Sequence, residues 1–102
     1  ITVPGTVAQF CGTTSTCAAT NISPTQKVVS GQAPLVSGTP STVTVTGFSP
    51  AFTSTTSYAC SVTDMTTATN NLLKVVNTSA SSITITGPNT LTDVIGYVCV
   101  GN

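Results

Sequence analysis

Two short segments of this chain alternate strictly between hydroxyl and β-branched apolar side chains, and they constrain its fold more than any other feature. They are residues 41–46 (STVTVT) and 82–86 (SITIT). A period of two places the two kinds of side chain on opposite faces of a strand. β-Branched residues also fit a pleated surface well. Because no window shows a convincing helical period, we predict an all-β protein.

Further strand signals occur at residues 57–63, 73–76 and 94–100. Prolines and glycines interrupt every apolar run of the first forty residues before it reaches strand length, although short edge strands at 27–29 and 35–36 fit. A chain of 102 residues holds one modest core. We therefore expect one folding unit: an antiparallel β-sandwich of about six strands over residues 41–102, with an irregular N-terminal arm over residues 1–40.

Two pairs of segments echo each other along the chain. Residues 41–47 recur as residues 81–87, and Tyr58-Ala59-Cys60 recurs as Tyr97-Val98-Cys99, at spacings of 40 and 39 residues. In a chain with 23 threonines and 13 valines, chance similarity remains an alternative to related halves. Either reading predicts antiparallel strands that meet across a sandwich and bring Cys60 and Cys99 to core-facing positions.

Four cysteines in a small β domain predict disulfides and an oxidising or extracellular setting. Of the three connectivities, we favour Cys11–Cys17 with Cys60–Cys99. Four reduced, buried cysteines are the main alternative. A metal site of four cysteines is disfavoured, because the first pair is separated by five residues and the other two stand alone.

The chain carries four charged side chains, Lys27, Lys74, Asp64 and Asp93, and it has no histidine. Without histidine there is no Ser-His or Cys-His nucleophile, so we expect no enzyme, no catalytic residues, no cofactor and no metal. We interpret both aspartates as caps of their own turns, in preference to a calcium site. The charge count also argues against nucleic acid as a partner. The apolar run at residues 94–100 is too short for a membrane helix, so we expect no membrane insertion.

The last strand signal predicts an unusual outer surface. If Ile95, Tyr97 and Cys99 face the core, then Val94, Val98 and Val100 face outward, where a monomer would normally place polar residues. The N-terminal arm or another copy of the chain must cover them, and we favour another copy, because an uncharged surface keeps monomers apart poorly. These three valines are therefore predicted to form a subunit interface. Asn77 lies in an Asn-Thr-Ser sequon at an expected hairpin tip, and it is a candidate for N-glycosylation.

The segment from residue 43 to residue 102 resembles the trimeric tip and knob domains of phage and algal-virus fibre or decoration proteins, and more distantly the H-type lectin sandwich. The resemblance rests on four stretches: VTGFSPAF (45–52), YACSVTD (58–64), NTSASSITITG (77–87) and IGYVCVG (95–101). It implies a six-stranded antiparallel sandwich packed as a homotrimer about the last strands.

These observations predict a virion surface protein, a capsid decoration, cement or fibre-tip module that acts by self-assembly and adhesion, including host attachment. Its partners would be copies of itself, a major capsid or fibre protein and a host-surface glycan. One alternative is a secreted, pilin-like filament subunit that assembles by β-strand addition. A second alternative is a small glycan-binding module. The expected location is the virion surface or the extracellular space.

Overall fold

The computed structural model describes residues 26–69 and 71–102, which form six strands and no helix. The strands are β1 (Lys27–Pro34), β2 (Ser41–Val45), β3 (Tyr58–Asp64), β4 (Lys74–Ser79), β5 (Ser82–Gly87) and β6 (Val94–Gly101). They pair only antiparallel, in two sheets of three: β1-β6-β3, called the first sheet, and β2-β5-β4, called the second sheet. The predicted all-β, sandwich-like fold is confirmed.

The core lies between the sheets and is built mainly from their two central strands. Ile83 and Ile85 of β5 and Ile95 and Cys99 of β6 are fully buried. Leu35 and the rings of Phe48, Phe52 and Tyr58 complete the buried cluster. The alternation read from the sequence explains this placement, because each of these strands directs every second side chain inward.

Tyr58 links the two sheets at one end of the core. Its ring stacks on Phe52, with the ring centroids 4.2 Å apart. Its hydroxyl lies 2.6 Å from the carbonyl oxygen of Ser79, the last residue of β4, and 2.8 Å from that of Ser82, the first residue of β5. The first sheet therefore donates a buried hydrogen bond to the hairpin of the second. Burial raises the pKa of the Tyr58 hydroxyl above its ordinary value.

The expected boundary at residue 40 is wrong for the part of the arm that the structure describes. Lys27–Pro34 is a full strand that pairs along its whole length with β6, and Leu35 is only 2% exposed. Glycine and proline lowered the strand signal here, but β1 is an edge strand, where proline is tolerated. Within the described part, the sandwich therefore includes the residues from 27 onward, and residues 1–25 lie outside that part.

The echoing segments pair side by side within one sheet rather than across the sandwich. Thr44 lies opposite Thr84 in the second sheet, and Cys60 lies opposite Cys99 in the first. The two cysteines form a disulfide, with their Cα atoms 4.0 Å apart. The predicted Cys60–Cys99 bond is thus confirmed, but it joins neighbouring strands. The predicted Cys11–Cys17 pair lies outside the described residues.

Candidate assembly surface

The outer surface of the first sheet, here called the valine face, is formed by alternate residues of its three strands. The pairing register aligns them in rows across the sheet, with β6 in the centre. Its members are Val28, Ser30, Gln32 and Pro34 of β1, Val94, Gly96, Val98 and Val100 of β6, Ala59, Ser61 and Thr63 of β3, and Met65, which follows β3.

The valine face carries no charged side chain and exposes several large apolar ones. Val28 is 66% exposed, Met65 54% and Val98 38%. Val94 and Val100 are partly buried on the same face. The predicted outward orientation of Val94, Val98 and Val100 is confirmed, whereas their role in a subunit interface remains a prediction. A monomeric antiparallel sheet normally presents polar residues to water, so this surface is unusual.

A shallow groove crosses the middle of the valine face at Gly96. Its volume is about 440 Å³, and Gln32, Ser61, Thr63 and Met65 are among its walls. A Cβ atom on Gly96 would lie 3.0 Å from the Sδ atom of Met65, so the absent side chain is what lets Met65 lie close to the sheet. The groove is open, and its walls combine hydroxyl and amide groups with the apolar side chains of Met65 and Val98.

The outer surface of the second sheet, here called the threonine face, has a different chemistry. It is formed by Thr42, Thr44, Lys74, Val76, Thr78, Thr84 and Thr86. The hydroxyl of Thr84 lies 2.6 Å from that of Thr78 and 3.3 Å from that of Thr44, one on each neighbouring strand. The hydroxyls at the centre of this face thus satisfy one another across the strands.

Both aspartates lie at the far end of the first sheet and stabilise one turn. Asp64 accepts hydrogen bonds from the backbone amides of Thr66 (2.9 Å) and Thr67 (3.1 Å) and from the side-chain amide of Asn71 (2.7 Å). The hydroxyl of Thr67 donates in turn to Asp93 over 2.5 Å. The turn interpretation of Asp64 is therefore confirmed.

This hydrogen bonding changes the acidity of Asp64. The backbone amide of Thr66 is the main cause, with the Asn71 side chain and the Thr67 amide adding to it, and together they lower the pKa of Asp64 to about 2. Among the described residues, no group of three or more histidine, cysteine, aspartate or glutamate side chains lies close enough to hold a metal ion. The oxygen atoms of Asp64 already have protein partners.

Lys27 and Asn77 have local partners. The ammonium of Lys27 donates to the carbonyl of Ala51 over 2.6 Å and lies 5.9 Å from the ring centre of Phe52. Asn77 lies within β4 rather than at the hairpin tip, and its side-chain nitrogen donates to the carbonyls of Thr55 (2.9 Å) and Tyr58 (2.7 Å). An N-linked glycan would occupy that nitrogen and disturb these hydrogen bonds.

The aromatic side chains of the described residues pack in or against the hydrophobic core. Phe48, Phe52 and Tyr58 are buried, and the ring of half-buried Tyr97 lies 6.4 Å from that of Phe48. No described residue therefore offers a fully exposed aromatic ring on which a sugar could stack.

The sequence predicts the three valines of β6 on this face but not its two other large exposed apolar side chains, Val28 and Met65. The short strand predicted at residues 27–29 gives Val28 no defined face. Met65 follows β3 and lies beyond the alternation at residues 57–63. The register of β6 with both neighbours brings these residues beside Val98, and a pairing register is not visible in single-strand patterns.

Comparisons with known protein families, with curated proteins and with solved structures found no match for this chain. Within residues 26–69 and 71–102, no helix is long and apolar enough to cross a membrane.

Proposed function

We propose that this protein is a structural subunit of a virion surface, a capsid decoration, cement or fibre-tip module that acts by self-assembly. The observation that carries the proposal is the valine face, which is uncharged and exposes Val28, Met65 and Val98. Burying each of these side chains against another copy would contribute on the order of 1 kcal/mol. The virion setting and the trimeric arrangement are supported by the resemblance of residues 43–102 to viral tip and knob domains.

The composition supports a structural task. Four charged side chains in 102 residues leave little repulsion between copies. None of the four charged side chains is a member of the valine face: Lys27, Asp64 and Asp93 have hydrogen-bond partners outside it, and Lys74 belongs to the threonine face. Copies can therefore approach through the valine face without desolvating a charge.

Replacing Val98 by aspartate tests the interface. Val98→Asp puts a charge at the centre of the valine face, and we expect contacts through that face to be lost, so that sedimentation velocity experiments show a smaller, folded species. Val76→Asp is the matched control, because Val76 is similarly exposed but lies on the outer face of the other sheet. An oligomer that survives Val98→Asp, or that Val76→Asp disrupts equally, contradicts the assignment.

The symmetry of the assembly tests the biological setting. Native mass spectrometry and electron microscopy should show a closed assembly in which three copies meet through the valine face, and mixing with the capsid or fibre protein of the source virus should give a stable complex. An open-ended polymer would support the filament alternative instead. A stable monomer that binds a glycan array would contradict self-assembly and favour the glycan-binding alternative.

A further inference from the structure

The four sheet edges of this protein differ in how well they are protected from pairing with another strand. Proteins commonly block an edge with proline, lysine, a β-bulge or a covering segment. The β1 edge has Lys27 and Pro34 at its ends. The β2 edge is covered by Val36, which exchanges two backbone hydrogen bonds with Thr42. The β4 edge begins with Lys74 and contains a bulge between Asn77 and Ser79.

Among the described residues, the β3 edge has no proline, lysine or β-bulge, and only β6 pairs with β3. Its seven residues, YACSVTD, contain no proline or lysine, and the pairing with β6 has no register shift. Two grooves border it, one of about 460 Å³ between Cys60 and β4 and one of about 570 Å³ between Val62 and the segments at residues 67–69 and 71–73. Among the described residues, these grooves separate the middle of the β3 edge from its neighbours.

The hydrogen bonds at the two ends of β3 define which backbone groups point outward. Ser57 accepts a hydrogen bond from Asn102 in the neighbouring chain segment, and Met65 donates to Val94. In an antiparallel pair such bonds recur at every second residue, so the odd-numbered residues bond to β6 and the even-numbered ones face away. The side-chain amide of Asn77 accordingly reaches the carbonyl of Tyr58 from the open side.

The N–H and C=O groups of Cys60 and Val62 thus point out of the sheet edge, where no other described residue hydrogen-bonds them. These four groups flank Ser61, the midpoint of the strand. If two β3 strands pair antiparallel about Ser61, Cys60 of each faces Val62 of the other, and all eight groups are satisfied reciprocally. Self-pairing also brings no lysine or glutamate together, and it places each Asp64 opposite the other copy's Tyr58.

We propose that β3 pairs antiparallel with β3 of a second copy of this chain, centred on Ser61. The pairing joins two first sheets into one continuous six-stranded sheet, β1-β6-β3-β3-β6-β1. Because the β1 edges at its ends carry Lys27 and Pro34, the sheet closes as a two-fold dimer instead of growing into a fibre. This contact uses the strand edge, so it does not depend on the valine face.

Cysteine crosslinking tests the pairing directly. Ser61 and Ser30 flank Val98 in the same row of the valine face, but Ser61 lies on β3 and Ser30 on β1. In the proposed dimer the two Ser61 positions form a non-hydrogen-bonded pair about 4.5 Å apart, close enough for a disulfide. Under mild oxidation, Ser61→Cys should form a covalent dimer within minutes and Ser30→Cys should remain mostly monomeric. Equal crosslinking of the two variants would overturn the proposal.

Charge at the same two positions provides a second measurement. Ser61→Lys places two ammonium groups opposite each other across the dimer axis, and it should weaken the β3-mediated dimer several-fold, whereas Ser30→Lys should not. The two cysteine variants are also compared in the Val98→Asp background, where contacts through the valine face are absent, whereas the lysine variants keep Val98, since an aspartate there would pair with the added lysine. A Ser61→Cys crosslink that persists in the Val98→Asp background supports edge pairing even if the proposed function fails, and its loss there overturns edge pairing.

Discussion

The two sheets share a sandwich but contribute differently to it. The second sheet provides two fully buried isoleucines, Ile83 and Ile85, and an outer face whose central hydroxyls bond to one another. The first sheet provides the Cys60–Cys99 disulfide, an apolar outer face and an unprotected edge. The scarcity of charged side chains therefore has different consequences on the outer faces of the two sheets. The centre of the threonine face satisfies its own hydroxyl groups, whereas the valine face leaves apolar area exposed.

The largest expected effect comes from removing the disulfide, which only the first sheet has among the described residues. The double variant Cys60→Ala with Cys99→Ala should lower the free energy of unfolding by about 4 kcal/mol, because the bond closes a long loop in the unfolded chain. Urea denaturation monitored by circular dichroism measures this. A loss below about 1 kcal/mol would mean that the first sheet is held mainly by its packing on the second.

The link between the two sheets gives the next largest effect. Tyr58→Phe removes the hydroxyl that lies between the carbonyls of Ser79 and Ser82, and it should cost about 1–2 kcal/mol of unfolding free energy. Tyr97→Phe is the matched control, because the Tyr97 hydroxyl has no hydrogen bond within the described part of the chain. Equal losses for the two variants would contradict a specific role for the Tyr58 hydroxyl.

The hydroxyl ladder of the threonine face should contribute less. Thr84→Val removes the central hydroxyl that Thr44 and Thr78 approach, and it should cost at most about 1 kcal/mol, because the face is in contact with water. The variant also places a valine at the centre of the threonine face, as Val98 is at the centre of the valine face. If sedimentation experiments then show stronger self-association, exposed apolar area is what distinguishes the two faces.

The smallest effect is the pH dependence at the turn after β3. Since the pKa of Asp64 is lowered to about 2, its charged form is favoured by folding. The stability it contributes is fully present above its ordinary pKa near 4 and is lost as the pH falls through about 2. Urea midpoints of the parent chain should therefore fall between pH 4 and pH 2. Asp64→Asn should show a smaller decrease over that range.

How far the sequence predicted this structure depends on the range of the interactions involved. The alternation at residues 41–46 and 82–86 predicted two strands and their inward faces, because side-chain direction is a local property of a strand. The outward position of Val98 followed in the same way. The full length of β1 was missed, because its pairing with β6 stabilises a segment that contains glycine and proline.

The parts of the surface that depend on register could not be read locally. Val28 and Ser61 flank β6 only because both neighbouring strands pair with it in particular registers. Nor did the spacing of 39 residues show that Cys60 and Cys99 lie on adjacent strands of one sheet. An unprotected edge such as that of β3 likewise depends on the pairing of all six strands, which no single strand's pattern contains.

The pairing of the echoing segments has a consequence for how the halves of the chain relate. Thr44 faces Thr84, its counterpart in the first echo, and Cys60 faces Cys99, its counterpart in the second. In a two-fold homodimer, a residue near the axis meets the same residue of the other subunit. At both of these contacts, one half of this chain meets the other half as a subunit would meet its own copy.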